Sequence, residues 1–320
     1  MRILVTGGAG YIGSVIVKKL IENKHEVVVL DDLSKGHKAA VHPNATFVES
    51  GLKNLKDLDE TFKQFNFNAV IHMAAYSLVG ESVEKPGKYF RNNVIYGKSL
   101  LDAMLKNGCK KIVFSSSAAV FGEPKSVPIK ENDPTIPTNP YGESKLMFEN
   151  IMKWYSKAYG LEYTSLRYFN AAGCDEEYGE HHDPETHLIP IIIQVALGQR
   201  DYISIFGNDY PTDDGTCIRD YVHVSDLADA HILALRKNGI YNLGSNEGYS
   251  VKDIIEAARE ITGHKIPAKE SHRRPGDPAV LVADSSKIKK ELGWNPQHDL
   301  KSIIKSAWLW HQKNPEGYKE

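Results

Sequence analysis

Short apolar runs alternate with amphipathic helical patterns through the first half of the chain. The apolar runs lie at 2–5, 26–31, 69–72, 111–115 and 162–167. Strands that are covered by helices on both faces are apolar along their whole length, so this alternation predicts an α/β fold with a doubly wound, Rossmann-type parallel sheet. In such a sheet, ligands bind beyond the carboxyl ends of the strands.

The second half of the chain is less regular. Helical patterns lie near 186–198, 226–236, 250–262 and 299–313, with Gly and Pro in the connections. We therefore expect a dinucleotide-binding domain over 1–169 and a smaller C-terminal α/β substrate domain over 170–320, with a cleft between them. The boundary is approximate, because later segments can return to the first domain.

Composition and charge are those of an ordinary globular enzyme. The 320 residues are 41% hydrophobic and carry a formal net charge of −2 without a block of one sign, so neither nucleic acid nor anionic lipid is an expected partner. The sequence contains no apolar run of the ~18 residues that a membrane span needs, and it enters a strand without a leader, which predicts a cytoplasmic protein. Cys109, Cys174 and Cys217 lack metal or redox spacing and are expected to be buried or partly buried thiols.

A glycine-rich turn follows the first predicted strand, with glycines at positions 7, 10 and 13. Gly7 permits a tight turn, Gly10 lets the backbone approach a pyrophosphate, and Gly13 lets the next helix pack closely. The N-terminal amides of that helix then face the anion. A strand, a turn and a helix in this order predict a bound dinucleotide.

A carboxylate marks the end of the second strand and refines the cofactor. Asp31 is placed to accept hydrogen bonds from the ribose hydroxyls of a bound adenosine. The pair Asp31 and Asp32 also repels a 2′-phosphate, which favours NAD over NADP.

Tyr141 and Lys145 stand four residues apart in a helical pattern and therefore share one helix face. A free phenol has a pKa near ~10, so a tyrosine base at neutral pH needs a pKa that is lower by roughly three. One cation within ~4 to 6 Å lowers the pKa by roughly one to three, and an oxidised nicotinamide ring adds a second positive charge. Ser117, at the end of a strand, can hydrogen-bond the reacting oxygen, although three consecutive serines also suit a plain polar strand exit.

Longer motifs extend along nearly all of the chain. They include Val79-Gly80-Glu81-Ser82, Asn92-Asn93, Ser115-Ser116-Ser117-Ala118, Asn139-Pro140-Tyr141-Gly142, Leu166-Arg167-Tyr168-Phe169-Asn170, Ile205-Phe206-Gly207-Asn208-Asp209-Tyr210-Pro211-Thr212, Arg219-Asp220-Tyr221-Val222-His223-Val224 and Arg273-Arg274-Pro275-Gly276-Asp277. With these motifs the chain resembles the UDP-glucose (UDP-galactose) 4-epimerases of the extended short-chain dehydrogenase/reductase family.

The resemblance implies a reversible interconversion of UDP-galactose and UDP-glucose. Tightly bound NAD takes a hydride from sugar C4, the 4-keto sugar rotates about its diphosphate linkage, and the hydride returns to the other face. The implied catalytic residues are Tyr141 as acid and base, Lys145 as the group that lowers its pKa, and Ser117 as the group that orients the oxygen.

The resemblance also implies two sets of binding residues. The NAD-binding set is Gly7, Gly10, Tyr11, Ile12, Gly13, Asp31, Asp32, Leu52, Met73, Ala74, Ala75, Asn92, Tyr141, Lys145 and Phe169. The substrate-binding set is Ser117, Asn170, His187, Leu188, Phe206, Arg219, Tyr221, Arg274, Asp277 and Leu281. Guanidinium groups suit a diphosphate, although an arginine taken alone is more often a surface or salt-bridged residue.

Four positions depart from the family pattern, and a fifth bears on sugar specificity. Ser77 replaces a lysine near the nicotinamide, Gly51 replaces an adenine-contacting Asp, Phe121 replaces a Tyr, and His187 replaces the second Asn of a substrate-binding pair. Leu281 stands where residue size limits the room beside sugar C2, and its intermediate size predicts UDP-glucose and UDP-galactose as main substrates with some tolerance for N-acetylated sugars. The alternative is a core leucine that does not face the substrate.

Three other functions stay open on the sequence. A dehydratase or decarboxylase on the same scaffold is one, although dehydratases of this kind carry an acidic pair where this chain has Ser117 and Ala118. A non-catalytic NAD-binding regulator is the second. The third is an ordinary dehydrogenase that exchanges its cofactor with solution.

Two further expectations concern assembly and metals. The family suggests a homodimer formed by the helices around 93–106 and 143–158. The segment 178–187 is rich in His and acidic residues, but they do not recur at the i and i+4 positions of a helical zinc site, so a polar loop without a metal is predicted.

Overall fold

The protein is described by a computed structural model that covers residues 1–274 and 276–319, so that Pro275, in the last of the motifs above, and Glu320 lie outside the described residues. The strands are β1 (Arg2–Thr6), β2 (Glu26–Asp31), β3 (Thr46–Glu49), β4 (Ala69–His72), β5 (Lys111–Ser117), β6 (Glu162–Tyr168), β7 (Asn170–Ala172), β8 (Ile203–Phe206), β9 (Ile218–Arg219), β10 (Tyr221–His223), β11 (Gly239–Leu243), β12 (Tyr249–Ser250), β13 (Ala268–Ser271) and β14 (Val280–Leu281).

Helices connect these strands. The α-helices are α1 (Tyr11–Glu22), α2 (Leu55–Phe65), α3 (Val79–Glu84), α4 (Pro86–Tyr89), α5 (Gly97–Lys106), α6 (Pro140–Tyr159), α7 (Leu188–Ala196), α8 (Val224–Ala234), α9 (Val251–Thr262), α10 (Ser286–Leu292) and α11 (Leu300–Lys313). A π-helix covers Phe90–Tyr96, and short 3₁₀ helices cover Lys38–Ala40 and Ala118–Phe121. No helix within the described residues is long and apolar enough to cross a membrane.

A seven-stranded sheet forms the centre of the molecule, in the order β11-β6-β5-β4-β1-β2-β3. Every neighbouring pair of its strands runs parallel. The strand order reverses between β1 and β4, which is the position where such sheets bind dinucleotides. This arrangement confirms the predicted doubly wound α/β fold.

Alternate residues of each strand pack on opposite faces of the sheet. Ile3 and Val5 belong to the apolar cluster on the α1 and α8 side, whereas Leu4 lies in the cluster with α2, α5 and α6. All three side chains are fully buried. Each stabilises the fold by about 1.5 to 3 kcal/mol relative to exposure, which explains why these strands read as continuous apolar runs.

The second half of the chain contributes to both parts of the molecule. Helices α7, α9 and α11 pack around a separate apolar cluster beside the small strand pairs, at positions close to those predicted from the sequence. By contrast, β11 extends the large sheet next to β6, and α8 packs on α1. The large sheet and its helical layer thus include elements from beyond residue 170, and the domain boundary stays a prediction.

Candidate active site

The glycine turn after β1 is shaped by close backbone contacts. Gly7 has a φ of +74°, and a Cβ there would lie 2.6 Å from the amide nitrogen of Ala74. A Cβ on Gly13 would lie 2.1 Å from the carbonyl oxygen of Gly7, whereas a Cβ on Gly10 would meet that oxygen at an ordinary 3.4 Å. Gly7 and Gly13 are therefore required by the protein's own packing, and Gly10 leaves its backbone open to a ligand.

Helix α1 begins directly after this turn and gives it an anion-binding character. Its first intrahelical hydrogen bond runs from the Ser14 amide to the Gly10 carbonyl at 2.9 Å. The earlier amides of Tyr11, Ile12 and Gly13 precede that bond, so they point away from the helix at its positive end. The turn and the helix together fit the pyrophosphate of a dinucleotide.

Asp31 lies at the end of β2 and holds the turn in place. Its carboxylate accepts hydrogen bonds from the amides of Ala9 at 3.0 Å and Leu33 at 2.9 Å. One bond to each oxygen leaves lone pairs that can accept from ribose hydroxyls. Burial raises the pKa of Asp31, and the two amides oppose that rise.

The glycine at position 51 gives room to the neighbouring carboxylate of Asp32. A Cβ on Gly51 would lie 2.8 Å from the Asp32 Oδ2 atom. The other carboxylate oxygen of Asp32 accepts from the amide of Ser34 at 3.1 Å. The departure from the family pattern at Gly51 therefore comes with an Asp32 side chain that turns toward the vacated space.

Three further predicted NAD-binding residues, Met73, Ala74 and Ala75, follow β4. The Met73 amide donates to the Thr6 carbonyl at 2.9 Å, and the Ala74 amide lies 3.5 Å from the Thr6 hydroxyl, so the segment that leads to Ala75 passes beside the turn. The Tyr11 hydroxyl donates to the Gly173 carbonyl. Leu52 and Phe169 are buried at 6% and 8% exposure, and Ser77 is exposed.

A Gly13→Ala substitution is expected to raise the Kd for NAD by at least about tenfold and to lower the thermal midpoint. The added methyl group would collide with the Gly7 carbonyl and force the turn away from its anion-binding shape. The control is Gly80→Ala in α3, where a Cβ would meet nothing within 4 Å among the described residues. Equal NAD affinity in both variants, measured by calorimetry, would contradict this assignment of the turn.

Helix α6 places the predicted catalytic tyrosine. The Asn139 side chain caps the helix by accepting from the Gly142 amide at 2.9 Å, and Pro140 occupies the first turn. A Cβ on Gly142 would lie 2.4 Å from the carbonyl oxygen of Ala119, so the helix start packs directly on the segment after β5. This contact brings Tyr141 beside Ser117.

Ser117, Tyr141 and Lys145 form one cluster at the carboxyl end of β5. The Ser117 hydroxyl acts on the Tyr141 phenol and lowers its pKa, and the Ser117 Oγ accepts a hydrogen bond from the Ala119 amide at 3.1 Å. The Lys145 Nζ lies 5.8 Å from the centre of the Tyr141 ring and donates to the Ser115 carbonyl at 2.7 Å. The structure thus brings together the three residues that the sequence singled out.

Burial governs the electrostatics of this cluster. It raises the pKa of Tyr141, and the hydrogen bond with Ser117 partly opposes the rise. Lys145 is 2% exposed, and burial lowers its pKa to about 7 against the opposing charge of Glu149. The protein's own groups therefore do not supply the whole stabilisation that a tyrosine base requires.

The structure contains a buried ion pair next to Lys145 that the sequence did not lead us to predict. Glu149 and Arg167 form a bidentate pair at 2.7 and 3.1 Å, and both side chains are 4% exposed. The Ser116 hydroxyl donates to the same carboxylate at 2.6 Å. Tyr141, Lys145 and Glu149 follow each other at intervals of four, and this spacing was the available signal.

Asn93 is a second residue with an unpredicted positioning role. Its side chain accepts from the Tyr76 amide and donates to the Tyr76 carbonyl, both at 3.0 Å. It also donates to the Ser144 hydroxyl at 3.0 Å, and it accepts from Asn92 at 3.1 Å. Asn93 thereby joins the segment after β4 to the catalytic helix.

Half of the predicted substrate-binding residues come together in the C-terminal part of the chain. The Arg274 guanidinium lies 4.0 Å from the centre of the Phe206 ring, and the Arg219 guanidinium lies 3.9 Å from the Asp277 carboxylate. Leu281 pairs in register with Arg219. Two arginines beside an aromatic ring suit a nucleoside diphosphate.

Two further members of the set, together with Leu281, connect this region to the central sheet. Asn170 and Tyr221 are register partners in the parallel pair β7 and β10. Leu281 packs against the apolar cluster that contains Ala118 and Phe169, next to the end of β5. Leu281 therefore lies close to the end of the strand that carries Ser117, and its predicted contact with the substrate sugar stays a prediction. Phe121 is buried in the same cluster.

His187 lies in a different environment, at the start of α7 before Leu188. Its Nδ1 atom is 2.9 Å from a Glu180 oxygen and 3.1 Å from a Glu185 oxygen. Burial by itself lowers the pKa of His187, but the two carboxylates raise it to about 10. Two carboxylates therefore contact the residue that stands in place of an Asn of the family pattern.

The chain is similar to known proteins along nearly its whole length. The model of the NAD dependent epimerase/dehydratase family matches residues 3–244. A UDP-glucose 4-epimerase of Halalkalibacterium halodurans is 54% identical over 99% of this chain and 98% of its own length. A crystal structure of a UDP-glucose 4-epimerase aligns over 100% of both chains with a TM-score of 0.97 and 50% identity. The Bifidobacterium longum enzyme in complex with NAD+ and UDP aligns over 99% of this chain and 100% of its own, with a TM-score of 0.96 and 38% identity.

Proposed function

The chain belongs to the NAD dependent epimerase/dehydratase family, and we propose that it is an NAD-dependent enzyme that interconverts UDP-glucose and UDP-galactose by inversion at sugar C4. Bound NAD supplies a reversible hydride acceptor. The observation that carries the proposal is the cluster of Ser117, Tyr141 and Lys145 at the same sheet edge as the glycine turn.

The chain's residues handle the proton and the position of the sugar. Tyr141 takes the proton of the C4 hydroxyl and later returns it, and Ser117 holds the oxygen through its hydroxyl. Lys145 stabilises the phenolate. Because burial raises the pKa of Tyr141, a further positive charge is needed to lower it, and bound NAD+ would supply that charge. Arg219 and Arg274 are the groups proposed to hold the diphosphate while the sugar turns.

The proposal is tested by incubation of the purified protein with UDP-glucose and no added cofactor, with proton NMR detection of UDP-galactose. We expect conversion without added NAD, because the cofactor is proposed to stay bound through the cycle. Conversion that requires continuous addition of cofactor would instead indicate an ordinary dehydrogenase. No conversion even after NAD addition would refute the epimerase proposal.

Two of the alternative functions are disfavoured by the site. Dehydration needs an additional acid and base. The positions where related dehydratases carry an acidic pair hold Ser117 and the buried Ala118 here. A non-catalytic regulator would not need a buried lysine beside a tyrosine and a serine. The cytoplasmic location stays a prediction.

Sugar specificity is proposed to depend on Leu281. We expect a higher kcat/KM for UDP-glucose than for UDP-N-acetylglucosamine, and Leu281→Ala should narrow this ratio by roughly 10-fold, the lower end of the effect of one methylene group in a pocket. The control is Leu146→Ala, which shortens a leucine packed on the same cluster. Equal changes of the ratio in both variants would mean that Leu281 is only a core residue.

A homodimer is also proposed. Three apolar side chains lie exposed on the π-helix and α6, namely Ile95 at 57%, Met147 at 39% and Trp154 at 65% exposure. The π-helix and α6 pack on each other, and large exposed apolar side chains on neighbouring helices favour a protein interface. Light scattering should give twice the chain mass of 35.8 kDa.

A further inference from the structure

We propose that Glu180, His182 and His187 form a binding site for one divalent transition-metal ion of the Zn²⁺ type. The sequence favours a loop without a metal, because these residues lack the spacing of a helical zinc site. The fold nevertheless gathers one ligand atom from each residue within 4.8 Å of the others. This cluster is called the loop triad below.

The distances within the loop triad suit a tetrahedral ion. A Glu180 oxygen lies 3.3 Å from the His182 Nε2 atom and 2.9 Å from the His187 Nδ1 atom. Bonds of about 2.0 to 2.1 Å at tetrahedral angles place neighbouring ligand atoms roughly 3.3 Å apart. Small side-chain adjustments would therefore complete the coordination.

The ligand types select the class of ion. Two imidazoles with one carboxylate are a known donor set for Zn²⁺, and imidazole also favours Cu²⁺, Ni²⁺ and Co²⁺. Mg²⁺ and Ca²⁺ prefer sites made of oxygen atoms alone. A hard ion is therefore not the expected occupant.

Charge balance around the loop triad also favours a cation. Glu180 and Glu185 bring two carboxylates whose side chains are 5% and 4% exposed. A Glu185 oxygen accepts from the amides of Thr186 and His187, each at 2.8 Å, which fixes it beside the ligand. A divalent ion bound to the loop triad would neutralise both carboxylates.

The loop that carries the ligands is held by the C-terminal part of the chain. The Tyr318 hydroxyl accepts from the Gly179 amide at 3.0 Å, and a Cβ on Gly179 would lie 2.1 Å from the Trp310 ring. The ring of His181 stacks on His37 at 4.6 Å. Since its neighbours fix the backbone on both sides of Glu180, little ordering is required on binding.

A third imidazole lies near the same carboxylates. His311 is 7% exposed, and its Nε2 atom has no hydrogen-bond partner among the described residues. It is close enough to Glu180 and Glu185 for both charges to act on it. An unpartnered buried donor or acceptor is costly, and beside a metal site it can serve as an outer ligand or hydrogen-bond a bound water.

The test is calorimetric titration of the NAD-loaded protein with ZnCl₂ in a buffer that does not chelate metals, with Co²⁺ absorption as a second readout. We expect one saturable site per chain, a tetrahedral Co²⁺ spectrum, and a thermal midpoint that rises with Zn²⁺ because binding stabilises the folded state. His182→Asn should weaken Zn²⁺ binding at least about tenfold and abolish the thermal shift.

The matched control is His264→Asn, which removes an exposed imidazole outside the loop and leaves all three ligands. Glu180→Gln serves as a second ligand variant if His182→Asn does not fold. Absence of saturable Zn²⁺ binding, or equal losses in His264→Asn and His182→Asn, would overturn the proposal. These readouts are independent of epimerase activity, so a failure here leaves the proposed function untouched.

Discussion

Replacement of Tyr141 by Phe is expected to lower kcat for UDP-glucose epimerisation by roughly 10²- to 10⁴-fold, the usual contribution of a general acid and base. The substitution removes the phenolic oxygen and keeps the ring, so the packing of α6 against the segment after β5 persists. The NAD affinity and the thermal midpoint should stay close to those of the unchanged protein. Single-turnover NMR and calorimetry measure these quantities.

The matched control is Tyr159→Phe in the last turn of the same helix, where the side chain is 55% exposed. It loses the same oxygen at a distance from the site and should retain full activity. A loss of less than tenfold in Tyr141→Phe would assign proton transfer to another group. The buried Lys145, with its pKa near 7, would then be the next candidate.

The elements of the central sheet could be predicted because their signals are local. The run at 69–72 coincides with β4, and the start of α6 follows from Asn139 and Pro140. The return of β11 to this sheet was not specified, because Gly239–Leu243 pairs with β6 over 70 residues away. Such pairing depends on tertiary packing and leaves no periodic mark in the sequence.

In the candidate site, too, the residues that are close in sequence could be predicted, and the contacts between distant segments could not. Tyr141 and Lys145 are four residues apart in a helix, so their spacing alone predicts that the two side chains are neighbours. The partners that fix the surroundings come from distant segments, as Arg167 does for Glu149 and His187 for Glu180. No regular sequence spacing relates side chains that come from distant segments. The ion pair and the loop triad could therefore be identified only from the structure.

Replacement of Glu149 by Gln is expected to lower the free energy of unfolding by roughly 3 to 5 kcal/mol, the usual cost of a buried ion pair that loses one partner. Arg167, at 4% exposure, would keep its charge without a counter-ion. Urea denaturation with circular dichroism measures the loss. Glu260→Gln is the matched control, because Glu260 pairs with Lys301 at the surface, where removal should cost less than about 1 kcal/mol.

Glu149→Gln should also change the pH dependence of catalysis, because the charge of Glu149 affects the pKa of Lys145. Glu149 raises the pKa of Lys145 against the lowering effect of burial, so its loss must move that pKa below the present value of about 7. Since the ammonium is the form that stabilises the phenolate, the alkaline limb of kcat should shift to lower pH. The double variant Glu149→Gln with Arg167→Met should recover stability, because no charge is left buried alone. Recovery of stability without recovery of the pH profile would separate the structural role of Glu149 from its effect on the catalytic lysine.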